Sequence, residues 1–159
     1  MRFDKAIRNL FIVLFSTLII SACATGKKSA DALKNDVYTG TDTVEYLANG
    51  VPDRVFFATN KFSLTTAARD TLRKQATWLR KNKDITVTIE GHADERGTRE
   101  YNLALGERRA NAAKDYLMTY GVSGKRLSVI SYGKERPVNP ASSPLAWSQN
   151  RRSVTVKAN

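Results

Sequence analysis

Apolar and polar residues follow a regular order from residue 54 to the end of the chain, and this order predicts four strands. Residues 54–58 form a short aromatic and β-branched run, and residues 85–90 alternate between apolar and polar side chains. Residues 127–132 and 153–157 are two further β-branched or alternating segments. Such patterns are typical of strands that bury at least one face. In the last strand we expect Val154 and Val156 to point into the core.

Two longer segments have the spacing of amphipathic helices. The first begins at Thr65 or Thr66 and ends at Asn82, and the second runs from about residue 99 to Tyr120, before Gly121. The predicted inner faces consist of Ala68, Leu72, Ala76 and Leu79 in the first helix and of Gly106, Ala110, Ala113 and Leu117 in the second. A short third helix is predicted over residues 42–49, with Gly50 as its end.

The order of these elements from residue 51 onward is β-α-β-α-β-β. It predicts an α+β fold in which a mixed sheet is covered on one face by the two long helices. Residues 133–144 follow the third predicted strand and contain three of the four prolines in the chain, so we expect a stiff, irregular loop there.

The N-terminal 22 residues have the layout of a secretory signal. Three basic residues precede an apolar run over residues 10–20. This run of about 11 residues is shorter than the roughly 20 that a membrane-spanning helix needs. We therefore expect residues 1–22 to direct export and to be removed.

The run ends at Ser21-Ala22-Cys23, and Cys23 is the only cysteine in the chain. This sequence resembles a bacterial lipobox, in which the cysteine is acylated and becomes the first residue of the mature protein. The alternative is an ordinary cleavage site followed by a free thiol. Acyl chains on Cys23 would anchor the protein to a membrane, and Ala24 in place of an aspartate matches the pattern of lipoproteins sent to the outer membrane. The predicted organisation is then a signal peptide (1–22), a lipidated N-terminus with a flexible tether (23–50) and one periplasmic domain (51–159).

The mature part has 137 residues and a formal net charge of +9. In a cytosolic protein such a large net positive charge would suggest nucleic acid as the partner. Export excludes that partner and favours cell-wall carboxylates, lipid head groups or an acidic protein surface.

Residues 90–98, Glu-Gly-His-Ala-Asp-Glu-Arg-Gly-Thr, place many charges where a strand leads into a helix. Binding residues often lie on such loops. Asp94 belongs to this loop, and Asn102 and Arg109 lie two turns apart on the helix that follows, so that they project from about the same face. A carboxylate and a guanidinium could thus surround one small zwitterion.

The segments GHADERGT, YNLALGERRA, SYGKERP and NRRSV stand in the order and at the spacing of OmpA-like peptidoglycan-binding domains, which this chain resembles over about residues 52–157. The resemblance implies a ligand, the diaminopimelate side chain of the peptidoglycan stem peptide. By position, Asp94 resembles the residue that receives the ligand's ammonium and Arg109 the one that pairs with its carboxylate. Asn102, Asn60 and Arg151 match further binding residues of the family. The chain departs from the pattern at Ala58, where many members have aspartate.

The resemblance implies a binding protein that links the outer membrane to the cell wall and has no cofactor. It also implies TolB and other proteins of the Tol envelope system, which acts in cell division, as partners. A wall-degrading enzyme would need a nucleophile with a base, paired carboxylates or metal ligands. The single histidine, His92, has no second histidine or thiolate for a metal site. We expect it to hold the loop through a local hydrogen bond, and Arg96 to lie at the rim of the site.

Overall fold

The computed structural model describes residues 33–34, 36–40, 42–43 and 45–158. The predicted signal peptide and Cys23 lie outside these residues. Within them, no helix has both the length and the apolar composition that a membrane crossing requires.

The described residues form two small hairpins followed by an α+β domain. The strands are β1 (Leu33–Lys34), β2 (Val37–Tyr38), β3 (Tyr46–Ala48), β4 (Val51–Pro52), β5 (Arg54–Phe56), β6 (Val87–His92), β7 (Leu127–Gly133) and β8 (Arg152–Lys157). The helices are α1 (Thr66–Lys81), α2 (Arg99–Thr119) and α3 (Pro144–Asn150), and a 3₁₀ turn spans Gly124–Arg126.

The main sheet contains four strands in the order β5-β8-β6-β7. Strand β8 is antiparallel to both β5 and β6, whereas β6 and β7 are parallel. The sheet is therefore mixed, and the predicted α+β class is confirmed. Because β8 inserts between β5 and β6, the C-terminal strand connects the beginning of the domain to the strand that carries the predicted site.

Helices α1 and α2 cover one face of the sheet. Thr65 caps α1 as predicted, and Thr98, predicted to lie in the preceding loop, caps α2. Each side-chain oxygen accepts a hydrogen bond from the backbone N–H three residues later, at 3.2 Å in both cases. Both predicted inner faces are buried. Their apolar side chains pack with Val55, Phe57, Val87 and Ile89 in the core cluster.

Helix α2 approaches strand β6 unusually closely at two glycines. A Cβ atom on Gly91 would lie 1.8 Å from the carbonyl oxygen of Gly106, and a Cβ atom on Gly106 would lie 2.3 Å from the hydroxyl oxygen of Ser131. Only glycine fits at Gly91, because the obstructing atom belongs to the backbone. The contact fixes the start of α2 next to the end of β6, where the charged loop lies.

The prediction of a helix over residues 42–49 is wrong. Tyr46–Ala48 is a strand that pairs with Val51–Pro52. Gly50, interpreted from the sequence as the end of a helix, adopts a positive φ of 71° in the turn of this hairpin. A glycine in the left-handed region fits either structure, so its presence alone did not distinguish them.

The expected orientation of the last strand is also wrong. The hydroxyl of Thr155 donates a hydrogen bond of 2.8 Å to Gln75 on α1, so Thr155 faces the helices. Side chains alternate along a strand, and Val154 and Val156 therefore lie on the opposite, helix-free face, where Val156 is 39% exposed. Glu90, which pairs with Val154 across the sheet, lies on the same face.

Helix α3 was not predicted, because residues 133–144 were interpreted as a loop leading to the last strand. Its start does carry a sequence signal. The Ser143 hydroxyl accepts a hydrogen bond of 3.2 Å from the Ala146 N–H, and Pro144 occupies the first turn. The helix has only seven residues, too few for an apolar period to be visible.

We predict that Gly91→Ala lowers the free energy of unfolding by about 2 kcal/mol or more, because its methyl group would overlap the α2 backbone. Urea unfolding followed by circular dichroism measures the change. Gly124→Ala is the control, since its Cβ would meet only the flexible end of Met118 at 3.2 Å. Equal stability of the two variants would show that α2 can move away from β6 at little cost.

Candidate functional site

Asp94 lies in the loop between β6 and α2 and is almost fully buried. Its carboxylate accepts hydrogen bonds from Nε and Nη2 of Arg96, at 3.1 and 2.8 Å, and from the Arg96 backbone N–H at 3.1 Å. It also accepts one from Nη1 of Arg151 at 3.3 Å. Arg96 is thus the main partner of Asp94, and its side chain is 42% exposed.

Burial by itself raises the pKa of Asp94, but the hydrogen bonds and positive charge of Arg96 and the hydrogen bond from Arg151 outweigh burial. The pKa of Asp94 is therefore lowered from its ordinary value of 3.8. The group is a carboxylate at neutral pH, as the receptor of an ammonium group must be.

Arg151 holds several distant segments of the chain together at the site. It lies between α3 and β8 and is 1% exposed. Its Nε donates to the carbonyl of Phe57 at 3.0 Å, and its Nη1 to Asp94. Its Nη2 donates to both the backbone carbonyl and the carboxylate of Asp36, at 2.5 and 2.7 Å. One side chain therefore joins segments that lie up to 115 residues apart in sequence.

Asp36 was not predicted as a site residue, since it lies in the segment expected to be a tether. It adopts a positive φ of 60° between β1 and β2. Besides binding Arg151, its carboxylate accepts the backbone N–H of Thr59 at 2.8 Å. Burial raises the pKa of Asp36, whereas hydrogen bonding to Thr59 and the charges of Arg151 and Arg96 lower it, and the net shift is downward. This part of the predicted tether is folded against the domain.

Arg109 is fully buried, and its guanidinium donates to three backbone carbonyls. These belong to Lys61, His92 and Ala58, at 2.9, 2.8 and 3.2 Å. Burial first, and then the charge of Arg151, lowers the pKa of Arg109 to about 10, while Asp94 opposes this shift. Arg109 therefore lies within the electrostatic range of Asp94, although no hydrogen bond joins them. The three contacts leave two of the five N–H donors of the guanidinium.

The two predicted asparagines have different positions. Asn102 is buried and its side-chain amide donates to the carbonyl of Arg96 at 2.9 Å, so it holds the loop that carries Asp94. Asn60 is exposed, with a positive φ of 55°, in the turn that the Lys61 N–H closes on the carbonyl of Ala58 at 3.1 Å. This turn belongs to the segment that Arg109 and Arg151 hold through its carbonyls.

A second group of contacts, around Glu95 and Trp147, holds the solvent-exposed edge of the site in place. Glu95 accepts hydrogen bonds from the Trp147 indole N–H at 2.8 Å and from the Ser142 hydroxyl at 3.1 Å. The guanidinium of Arg96 lies 4.3 Å from the centre of the Trp147 ring. Helix α3, which the sequence did not predict, therefore contributes to the position of Arg96.

His92 does not belong to this site, since its ring faces the helix-free side of the sheet. The local hydrogen bond expected from it is not made, because neither ring nitrogen has a hydrogen-bond partner among the described residues. No cluster of three His, Cys, Asp or Glu residues that could hold a metal ion occurs in that part of the chain either.

Taken together, the site brings three guanidinium groups and two carboxylates into contact or close electrostatic range. The cations are Arg96, Arg109 and Arg151, and the anions are Asp36 and Asp94. It can thus offer one partner for a small cation and another for a small anion.

A family model described as the OmpA family matches residues 56–151. The peptidoglycan-associated lipoprotein of Agrobacterium fabrum (strain C58 / ATCC 33970) is 55% identical, over 96% of this chain and 90% of its own length. That of Rhizobium meliloti (strain 1021) is 48% identical, over 98% and 91% respectively. These similarities include the N-terminal region as well as the domain.

Two solved structures show similar folds. The crystal structure of the peptidoglycan-associated lipoprotein from Burkholderia pseudomallei has a TM-score of 0.65 and 36% identity, covering 67% of this chain and 90% of the other. The C-terminal domain of Helicobacter pylori MotB has a TM-score of 0.63 at 22% identity, with coverage of 67% and 84%, and shares the fold.

We predict that Asp94→Asn destabilises the protein by about 1.5–3 kcal/mol at pH 7, the usual contribution of hydrogen bonds to a charged group. Because the pKa of Asp94 is lowered in the folded state, its stabilisation is complete above the ordinary value of 3.8 and is lost as the pH falls through the lower folded value. The gap between wild type and variant should thus be constant from pH 5 to 7 and shrink below about pH 3.8. Urea unfolding over this pH series measures it.

The control for this series is Asp70→Asn on the exposed face of α1, where we expect a change within about 0.5 kcal/mol. A difference for Asp94→Asn that does not depend on pH would contradict the electrostatic origin of the stabilisation.

Proposed function

Because this chain belongs to the OmpA family and its relatives over almost the whole length are peptidoglycan-associated lipoproteins, we propose that it binds peptidoglycan in the bacterial envelope. Binding is non-covalent, through the free end of the diaminopimelate side chain, which bears an ammonium and a carboxylate on one carbon. The observation that carries this proposal is the buried carboxylate of Asp94 next to three guanidinium groups.

In the proposed complex, the ligand replaces an internal ion pair. Arg96 now occupies the position beside Asp94 that an ammonium would take, and its exposed side chain can leave that position at little cost. Asp36 likewise places a carboxylate on Arg151, where an incoming carboxylate would lie. The ligand's ammonium then binds Asp94, and its carboxylate binds Arg109 together with Arg151. A planar guanidinium binds a carboxylate through two parallel hydrogen bonds, which a lysine cannot do.

Asn102 and Asn60 complete the proposed site in different ways. Asn102 fixes the loop around Asp94 through the Arg96 carbonyl. Asn60 lies exposed in the turn next to the carbonyls that Arg109 binds, so that its amide is free to approach the stem peptide.

The proposed anchor is an acylated Cys23 in the outer membrane, with the domain in the periplasm. Residues 1–22 would be the signal peptide, 23–50 the lipidated N-terminus and tether, whose part around Asp36 packs on the domain, and 51–159 the binding domain. The lipobox-like sequence and the lipoproteins among the relatives support this arrangement. The protein would then join two envelope layers, and by its sequence resemblance it would work with TolB and other Tol proteins in envelope maintenance and cell division.

The function is one of binding and not of catalysis. Relatives that are 48% and 55% identical over most of this chain are named for their association with peptidoglycan and not for a reaction. The chemistry of the site agrees, since its cations and carboxylates are held by one another and by backbone carbonyls. A nucleophile beside a base is not part of this arrangement.

We predict that Asp94→Ala and Arg109→Lys each weaken binding to purified sacculi by tenfold or more, as expected for the loss of a charge-assisted hydrogen bond worth about 1.5–3 kcal/mol. Co-sedimentation with sacculi measures the binding, and circular dichroism verifies that each variant is folded. Asp115→Ala, exposed on α2, is the control and should bind as wild type does. Full retention of binding by folded Asp94→Ala would refute the site.

The ligand side of the same experiment uses soluble muropeptides. Amidation of the diaminopimelate carboxylate should weaken binding to wild type as strongly as the Arg109 substitution does, and should have little further effect on Arg109→Lys. If amidation weakens binding to Arg109→Lys as much as it weakens binding to wild type, the two effects are independent and Arg109 does not contact this carboxylate.

We further predict that Asp36→Asn strengthens muropeptide binding by about two- to fivefold. The substitution removes a carboxylate that competes for Arg151, and the gain is small because the Asp36 side chain is half exposed and water weakens its attraction to Arg151, as in exposed pairs that contribute only about 0.2–1 kcal/mol. Asp36 is 47% exposed in its side chain. Titration calorimetry measures the affinity, with the exposed Asp84→Asn as a control. Weaker binding by Asp36→Asn would instead make Asp36 a second receptor for the ammonium.

A further inference from the structure

A second cavity lies on the helix-free face of the main sheet, away from the site around Asp94. Its volume is about 660 Å³, within the range of small-molecule sites. Strands β6 and β8 form its floor, and the β3 region and residues 136–138 form its walls. Its apolar surface comes from Tyr46, Leu47, Val138, Val154 and Val156. The residues that bind Asp94 do not line it, so this cavity is a separate feature of the domain.

The cavity contains the buried guanidinium of Arg152, which forms no ion pair with the residues that the structure describes. Arg152 is 7% exposed, and its Nη1 and Nη2 donate only to the backbone carbonyls of Asn150 and Arg136, at 3.4 and 3.1 Å. Its Nε has no hydrogen-bond partner among the described residues. By contrast, Arg54 beside it is paired with Asp53 through two hydrogen bonds, of 2.7 and 2.8 Å.

The backbone contacts fix Arg152 in place without neutralising it. Burial first, and then the charge of Arg54, lowers the pKa of Arg152 to about 10, whereas Glu90 and Asp53 oppose the shift. The group remains a cation at neutral pH. A buried charge without a direct partner is costly, and an anion that enters the cavity would offset this cost.

His92 provides a second group in the same cavity. It is 2% exposed and neither ring nitrogen has a hydrogen-bond partner in the described part of the chain, although the Glu90 carboxylate lies 3.5 Å from Nε2. Burial, followed by the charges of Arg152, Arg136 and Arg54, lowers the pKa of His92 to about 3. The ring is therefore neutral, with one N–H donor and one acceptor nitrogen.

The charges that line the cavity leave a small positive excess. The cations are Arg54, Arg136, Arg152 and Lys157, and the anions are Glu45, Asp53 and Glu90. An excess of one positive charge matches a monoanion. A phosphate, with close to two negative charges near neutral pH, would be repelled more strongly by the nearby Glu90.

We propose that this cavity binds a carboxylate carried on an apolar body. The carboxylate accepts from Nε of Arg152 and from the ring N–H of His92, while the apolar body packs against Val138, Val154 and Val156. The C-terminus of a peptide with an apolar last residue and a fatty acid both have this chemistry. The proposal does not depend on peptidoglycan binding, since it uses other residues on another face of the sheet.

Side-chain NMR of the isotope-labelled full chain tests the proposal. N-acetyl-leucine represents the peptide C-terminus and octanoate the fatty acid, and N-acetyl-leucine amide is the matched probe without a charge. We expect saturable shifts of the Arg152 Nε–H and His92 ring signals with at least one of the two carboxylates and none with the amide. The probe that saturates at the lower concentration identifies the source. Equal shifts with the amide, or no saturable shift with either carboxylate, would overturn the proposal.

A substitution of Arg152 provides a second measurement beside the wild-type titrations. Arg152→Lys keeps the charge but loses the Nε donor, and we expect at least tenfold weaker binding of the carboxylate, as for the loss of a charge-assisted hydrogen bond. Arg80→Lys, exposed on α1, is the control and should bind as wild type does. Wild-type affinity in Arg152→Lys would remove Arg152 from the site. If Arg152→Lys does not fold, the wild-type titrations still decide the outcome, and sacculus binding measured in parallel should not change when N-acetyl-leucine is added.

Discussion

The burial of one positive charge, on Arg151, constrains the whole binding region. A guanidinium removed from water needs acceptors for its N–H groups and a negative charge nearby, otherwise its desolvation is not compensated. Arg151 finds these acceptors on the end of β5, on the loop after β6 and on the segment between β1 and β2. The first two belong to the sheet and its loop and fix the guanidinium, whereas Asp36 adds a third contact that a ligand could replace. The position of Asp94 therefore follows from the assembly of the sheet and not from the loop's own sequence.

The main sheet has two different faces because strand β8 is polar on its helix side. Thr155 faces α1, where its hydroxyl donates a hydrogen bond to the Gln75 side chain. Val154 and Val156 therefore point to the other side of the sheet, where the β3–β4 hairpin partly covers them. The apolar floor of the second cavity is thus a direct result of strand alternation. The two faces share strands β6 and β8, so a ligand on one face and a ligand on the other would contact neighbouring residues, such as Arg151 and Arg152.

Periodicity predicted the four main strands and both long helices, because burial of one face repeats along each element. It could not tell which face of β8 meets the helices, since Ser153 and Thr155 are as regularly spaced as the valines. It also could not find Asp36, whose partner lies 115 residues away; only the assembled fold brings them together. The loop motif around Asp94 and the position of Arg109 on α2 were visible in sequence, but the backbone carbonyls that hold Arg109 were not. Such contacts leave no pattern of residue types.

The contact between Asp36 and Arg151 also bears on mechanics. If Cys23 is held in the membrane, Asp36 lies 13 residues further along the chain, a maximum reach of about 45 Å at 3.3–3.6 Å per residue. Release of Asp36 would open only this first contact, because Tyr38, buried against Phe56, still holds the next part of the chain to the domain. Tension between membrane and wall would act on this ion pair before it reached the sheet. The protein would then lengthen in two stages, yielding first at a weak contact that can re-form while the folded domain stays intact.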